Sequence, residues 1–402
     1  MSKSIVLYLH VHQPFRIGPY SMFDIAHRSD YFASTPGSRT DNVAILRKVA
    51  EKSYLPTNQL LLELLERHPE FRLSISIAGT ALEQFEQWAP DVLESFQKIV
   101  ATGRVELVAE TYHHSLAFFY DRSEFETQVQ MQHQTLERLF GARPTVFRNT
   151  ELAYNDELAQ WADKAGYEAI IAEGWDPILG WRSPNFVYRP PETESIKLLL
   201  KNYRLSDDIA FRFSESARSS QPLTAATFAH WLNETHHAEV FNLFMDYETF
   251  GEHQWADTGI FGFLEHLPEA WLAQNGNTFE TLSEAARSHT PKDTVSMPET
   301  VTWADMERDL TAWVGNPMQR GAISKLYELG TAILATGDLD LIEDWRKLQT
   351  SDHFYYMCTK WFSDGDVHAY FSPYQSPYDA FLYFMNCYHD LKARLLAKGA
   401  EV

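Results

Sequence analysis

Five places in the chain bring acids, imidazoles and aromatic rings close enough together to share a reaction. The densest is Phe241–Trp255, reading FNLFMDYETFGEHQW, where an apolar run ends in Asp246 and Glu248, with Glu252, His253 and Trp255 following at once. His10 and His12 stand two apart at the end of IVLYLHVH and run into Gln13-Pro14. Glu110 and His114 lie in VAETYHHS, Glu151 in FRNTELAY, and Trp175 in AEGWD. Two carboxylates from separate segments are what glycoside hydrolysis needs. A separation of about 5–5.5 Å makes one of them a nucleophile and retains configuration, and a wider one inverts it. Trp175, Trp181, Trp255, Tyr247 and Phe250 are candidates to stack on sugar faces. The competing chemistry is metal-assisted hydrolysis, with His10, His12, His114 and Asp246 around an ion that keeps one position open. Spacing alone does not separate the two.

Other classes fall away. No Gly-rich phosphate loop follows the first strand and no GxSxG elbow is present, which removes dinucleotide and serine-hydrolase readings. A formal charge of −21 over 402 residues argues against a nucleic-acid partner and suits a neutral substrate. No run approaches the 18 apolar residues of a membrane span. Cys358 and Cys387 form neither a disulfide framework nor a CxxC metal pattern, so buried free thiols are expected. The N-terminal apolar run stops at Leu9 with no small-residue cleavage site after it, and a cytoplasmic protein is the expectation.

The elements that must position these groups alternate. Strands are expected at Ile5–His12, Phe71–Ala78, Arg104–Glu110, Thr145–Thr150, Glu168–Ala172, Ile196–Tyr203 and Glu239–Met245. Helices or long excursions separate them, which indicates a parallel α/β barrel or open sheet. Six of the seven strands finish in His, Asp or Glu, and in barrels that end of the strands carries catalysis. Ser123 with Glu126 reads as a capping box, and Asn155 as a helix cap. Arg148, three residues before Glu151, has the opposite strand parity and is expected behind the site. From about Pro298 the pattern turns helical, at Thr302–Val314, Pro317–Ala335, Leu339–Lys360 and Pro377–Lys398. The chain is therefore divided into a catalytic unit, 1–297, and a helical region, 298–402. Within the latter, Gln349–Tyr356 and Asp364–Tyr374 are expected to face the site.

Taken together, five motifs in order resemble glycoside hydrolase family 57, especially its α-amylase-type members. They are HVHQP (10–14), GRVELVAETYHHS (103–115), FRNTELAY (147–154), FMDYETFGEHQW (244–255) and SMPETVTW (296–303). The resemblance implies an α/β fold, an incomplete TIM-like (β/α)7 barrel with a C-terminal α-helical region packed against it. It implies Glu151 as nucleophile and Asp246 as general acid/base of a double displacement on α-1,4-glucans, as an α-amylase or a 4-α-glucanotransferase. Substrate contacts are implied for His10, His12, Gln13, Glu110, His114, Trp175, Glu248, His253, Trp255 and Asp352. No cofactor and no catalytic metal is implied, and the partner is an α-glucan. Two readings stand beside it: a metal-dependent barrel hydrolase of the mannosidase or polysaccharide deacetylase kind, and a non-catalytic glucan-binding protein. For the mechanism to run, Asp246 must hold a proton that an ordinary aspartate, near 3.9, would have lost.

Overall fold

The computed structural model describes residues 2–215, 223–360 and 367–400. Nine strands appear: β1 Ser4–Val11, β2 Leu73–Ile77, β3 Val105–Leu107, β4 Val146–Phe147, β5 Ala169–Glu173, β6 Val187–Tyr188, β7 Lys197–Lys201, β8 Val240–Asp246 and β9 Thr278–Phe279. Seven of them sit where strands were expected, several trimmed; β3 keeps three residues and β4 two. The short pair β6 and β9 was not anticipated, because two-residue strands leave no alternation to read.

One sheet runs β3-β2-β1-β8 with β9 also on β1, all parallel; the other runs β4-β5-β7-β6, in which only β6 is antiparallel. The sheets meet at both sides. Ala109 bridges Phe147 between β3 and β4, and the Asn202 amide donates to the Asn242 carbonyl at 2.9 Å between β7 and β8. Every residue of β1 is buried, as continuous apolar sequence in a strand covered on both faces requires.

Three apolar clusters explain the layering. Val6 and Tyr8 of β1, Val146 of β4, Ala169 and Ile171 of β5, Leu199 of β7 and Phe244 of β8 share one cluster, so inward residues of both sheets meet. Outward residues of β1, β2 and β8, such as Leu7, Ile75 and Leu243, pack under helices Leu55–Arg67, Gly79–Trp88 and Ile260–Leu272. Outward residues of β4, β5 and β7 share a core with Trp313, Leu326, Trp345 and Leu391 of the region after 298. That helical region is thus packed against the second sheet.

Local details differ from expectation. The helix Arg122–Phe140 is capped by Asp121, which accepts from the amides of Ser123 and Glu124, rather than by a box at Ser123. Asn155 caps Asp156–Lys164 as expected. Only Thr311–Val314 of the Thr302–Val314 helix forms; residues 302–310 make a loop with positive φ at Asp305 and Arg308. Pro317–Ala335 breaks into Pro317–Glu328 and Gly330–Thr336, and Leu339–Lys360 into Leu339–Lys347 and Ser351–Tyr355. Pro377–Ala397 forms nearly as expected. Of the segment Asp364–Tyr374, residues 364–366 lie outside the described residues. Among the described residues no helix is long and apolar enough to cross a membrane. Both cysteines are free and buried.

Candidate active site

Register puts the chemistry at one level. In the β1–β8 pair His10 stands beside Asp246, and in the β1–β2 pair it stands beside Ser76, at the C-terminal ends of the strands. A cavity of about 920 Å³ opens there. His10, His12, Gln13, His114, Glu151, Trp175, Asp246, Glu248, His253 and Asp352 all line it. Two expected contacts do not. Glu110 is fully buried behind the wall, and Trp255 is 58% exposed outside it with the Lys52 ammonium 4.7 Å from its ring.

The aromatic candidates divide in the same way. Trp181 is exposed beside Arg182, away from the cavity. Tyr247 and Phe250 are core residues. Their strand parity ended with β8, because Tyr247–Thr249 is a single tight helical turn that swings Tyr247 under the site to donate to Asn58.

Glu151 sits on a similar turn, Thr150–Leu152, after β4. Its φ of 59° is left-handed, as are Leu152 at 51° and His114 at 50°. Such backbone costs on the order of 1–3 kcal/mol per non-glycine residue and persists only where neighbours hold it. Here the Trp303 amide donates to the Glu151 carbonyl at 3.3 Å, and the Ser351 amide to that of His114 at 2.9 Å.

The Glu151 carboxylate is gripped on both oxygens. Oε1 accepts from His114 Nε2 at 3.1 Å and from the Ser351 hydroxyl at 3.3 Å, and Oε2 from Trp303 Nε1 at 2.8 Å. Behind it, His114 Nδ1 faces Glu110 at 3.3 Å, and Arg148, wholly buried, reaches Glu110 at 3.2 Å. Burial works against a charged His114, yet its hydrogen bonds to Glu110 and Glu151 prevail over burial and over nearby Arg148, and raise it to about 9. Burial alone would raise Glu151, but its bond to His114 and the charges of His114 and Arg148 hold it below the usual glutamate value.

Asp246 moves the other way. Burial first and the Glu151 charge second push it up to about 6, against Arg148, Lys201 and His114 acting through space. Glu248 rises to about 8, from burial and the Asp246 charge, even though Tyr54 donates to it. Gln13 in turn donates to Tyr54 at 3.1 Å, and Arg16 to Gln13 at 3.2 Å. Glu151 and Asp246 are thus driven apart in one cavity, the arrangement by which two carboxylates can serve as base and acid.

His10, His12 and His114 come close enough to share an ion, with ring nitrogens within 4.8 Å of one another. Their rings lie in a near-parallel stack, 10° to 22° apart, with centroids 3.9 Å apart for His12–His114. Stacked imidazoles aim their lone pairs side by side, whereas a tetrahedral ion needs them to converge. His12 Nε2 and His114 Nε2 are also committed to Asp352, at 2.7 Å, and Glu151. Burial and the His114 charge keep His12 neutral, so it donates through Nε2 to an ionised Asp352, which it holds far below the usual carboxylate range. His12 Nδ1 is then a buried acceptor without a protein partner, and His10 Nε2 is likewise buried and unpartnered. The geometry fits a charge relay and sugar-hydroxyl contacts better than a metal.

Trp303 and Lys201 in this wall were not anticipated as site residues. Trp303 arrives from the region after 298 and was visible only as the last letter of the fifth motif, whereas Ser351 falls in the Gln349–Tyr356 segment that was expected to face the site. Lys201 ends the apolar run of β7 and lies 3.8 Å from Glu173 and 3.5 Å from Asp207, beside Asp246. Arg148 lies behind the wall as expected, buried against Glu110, although β4 stops at Phe147 and strand parity no longer explains its place.

The comparisons with known proteins follow the same lines. Residues 6–298 match the model of glycosyl hydrolase family 57. A Methanocaldococcus jannaschii protein provisionally named an alpha-amylase is 42% identical over 372 residues, covering 89% of this chain and 79% of that protein. The crystal structure of 4-alpha-glucanotransferase from Thermococcus litoralis aligns with a TM-score of 0.67 at 17% identity. The alignment covers 88% of this chain, which spans 56% of that one. A GH57-type branching enzyme from Pyrococcus horikoshii aligns with a TM-score of 0.66 at 16% identity, covering 92% of this chain and 87% of that one. At these identities the two structures speak for the fold. Matched across most of its length, the chain belongs to glycosyl hydrolase family 57 and is a glycoside hydrolase.

Proposed function

We propose that this enzyme cleaves α-1,4-glucans with retention of configuration, as an α-amylase or a 4-α-glucanotransferase, at the C-terminal mouth of an incomplete (β/α)7 barrel. The observation that carries the reading is the opposite tuning of Glu151 and Asp246: Glu151 is ionised by His114 and Arg148, and Asp246 is raised to about 6. The barrel finds support in the bridges on both sides of the sheets and in the shared inner cluster. A glucan fits a deep cavity lined by Trp175, Tyr203 and Tyr356, the net charge of −21, and the alpha-amylase name of the 42% identical relative.

In the first step Glu151 bonds to the anomeric carbon as the glycosidic bond breaks, and Asp246 gives its proton to the leaving oxygen. In the second, Asp246 takes a proton from water or a sugar hydroxyl, whose oxygen bonds to the anomeric carbon while the Glu151 ester breaks. A value of about 6 leaves roughly a tenth of Asp246 protonated at pH 7, so the first step is favoured below neutrality. His10 and His12 line the cavity, and Asp352 fixes the neutral His12 tautomer, leaving its Nδ1 as an unpartnered acceptor for a sugar hydroxyl that reaches it.

Maltoheptaose tests the reading. Shorter sugars alone mean hydrolysis, and a ladder beyond seven glucoses means transfer. The first-formed product carries the α-anomer by NMR, and E151Q is inactive. Products of the β-anomer, or near-wild-type turnover by E151Q, refute it.

A further inference from the structure

Resting on that reading of Glu151, we propose that Trp303 is a positioning residue of the reaction: its indole N–H and its backbone together fix the nucleophile's plane and strained turn. Trp303 closes the fifth motif, SMPETVTW (296–303), just past the 6–298 stretch that the family model matches. It is the one group bound to Glu151 both ways among the contacts above, with Nε1 on Oε2 at 2.8 Å and the amide on the Glu151 carbonyl at 3.3 Å. With His114 and Ser351 on Oε1, both oxygens have donors, so rotation of the carboxylate about its own axis is arrested. Fixing a nucleophile in its attacking geometry removes entropy that the transition state would otherwise have to supply.

The indole is itself held. Arg148 and Lys201 lie over its ring at 5.2 and 5.3 Å, and His10 meets it edge-on at 6.3 Å. With two cations over its ring, it serves as a fixed strut more than as a platform for sugar. The loop that carries it is pinned at each end. Val301 and Tyr154 exchange both backbone hydrogen bonds at 2.9 Å, and Arg308 donates to the carbonyls of Trp303 and Asp305 at 2.7 Å each. The Tyr154 link lies three residues after Glu151, so one loop braces the catalytic turn from its side chain, its peptide and its exit.

The groups facing Glu151 are His114, Arg148, Asp352, Asp246, Ser351 and Trp303. Trp303 alone can lose its donor while keeping an aromatic ring and no change of charge. W303F, and a second variant with β-(3-benzothienyl)alanine at 303 alone, which keeps the indole shape without the N–H, remove that bond. A bond to a charged acceptor predicts a fall in kcat on maltoheptaose of about 10- to 150-fold, with KM within about twofold. The acid limb of kcat/KM moves to higher pH, because Glu151 is easier to protonate without the donor. A fall in thermal stability with kcat and the acid limb unchanged in the benzothienyl variant overturns the inference. E151Q run alongside keeps two failures apart: E151Q dead with both 303 variants as wild type overturns the Trp303 inference only, while an active E151Q overturns the reading of the nucleophile beneath it.

Discussion

Replacing His114 by glutamine should make the stability gap to wild type depend on pH in a direction set by the pocket. In the fold His114 lies between Glu110 and Glu151 and is almost wholly buried, and it is raised from 6.5 to about 9. Its folded value exceeds its unfolded one, so its contribution is fully present below pH 6.5 and is lost as the pH climbs through about 9. At about 1.4 kcal/mol for each tenfold change, the rise corresponds to about 3 kcal/mol. Glutamine can still donate one hydrogen bond but brings no charge. Urea unfolding of wild type and H114Q at pH 6 should therefore differ by about 3 kcal/mol, and at pH 9.5 by far less. An equal gap at the two pH values would mean that His114 is neutral in the fold and that the ionisation of Glu151 has another source. H114Q should also push the acid limb of kcat/KM upward, because Glu151 loses a donor and a cation together.

Two further predictions bear on the ends of β8. Activity should fall as pH rises through about 6 while Asp246 loses its proton, and D246N should lose about 10²- to 10⁴-fold in kcat on maltoheptaose but far less on an aryl maltoside whose leaving group needs no proton; an alkaline limb near 4 would place the acid elsewhere. Gly251 has φ +105°, and a Cβ there would lie 1.9 Å from the Lys52 carbonyl, so G251A should cost at least about 1–3 kcal/mol by urea unfolding and should displace the Ala50–Tyr54 turn that carries Tyr54 to Glu248; wild-type stability would show that this turn yields freely.

What could be read from the residues was what a strand's period of two controls. His10 and Asp246 form the last ladder pair of β1 and β8, where alternation and parallel pairing fix the height and face of a side chain, and both line the cavity, as does His12 one residue beyond β1. Trp255, Tyr247 and Phe250 were misplaced for a common reason. Each lies past the last ladder pair of its strand, where a tight turn or loop re-aims the next residues and periodicity says nothing. Arg148, by contrast, lies buried behind the site as expected. Trp303 and Lys201 reach Glu151 and Asp246 from 152 and 45 residues away, across joins that tertiary packing alone decides. The helical segment that was expected at Thr302–Val314 fails for the same cause: bracing the catalytic turn needs an irregular loop, and Arg308 and the Tyr154 ladder supply its hydrogen bonds in place of a helix.

The division of labour between the two acids then follows from where the positive charge touches. Six carboxylates, Glu110, Glu151, Glu173, Asp246, Glu248 and Asp352, gather at or just behind one cavity, and burial opposes ionisation in every one of them that shifts. Glu151 and Asp352 are lowered nonetheless, and each is hydrogen-bonded to an imidazole, His114 and His12. Asp246 and Glu248 feel cations through space or accept from neutral Tyr54, and both are raised. A direct hydrogen bond from an imidazole at Glu151 and Asp352 outweighs desolvation, and influence through space at Asp246 does not. The Glu151 charge, once fixed by His114, is itself the second cause that raises Asp246, so an ionised Glu151 favours the protonated form of its neighbour. An imidazole in contact with Glu151, together with the burial of Asp246, therefore sets the two carboxylates on opposite sides of their usual values.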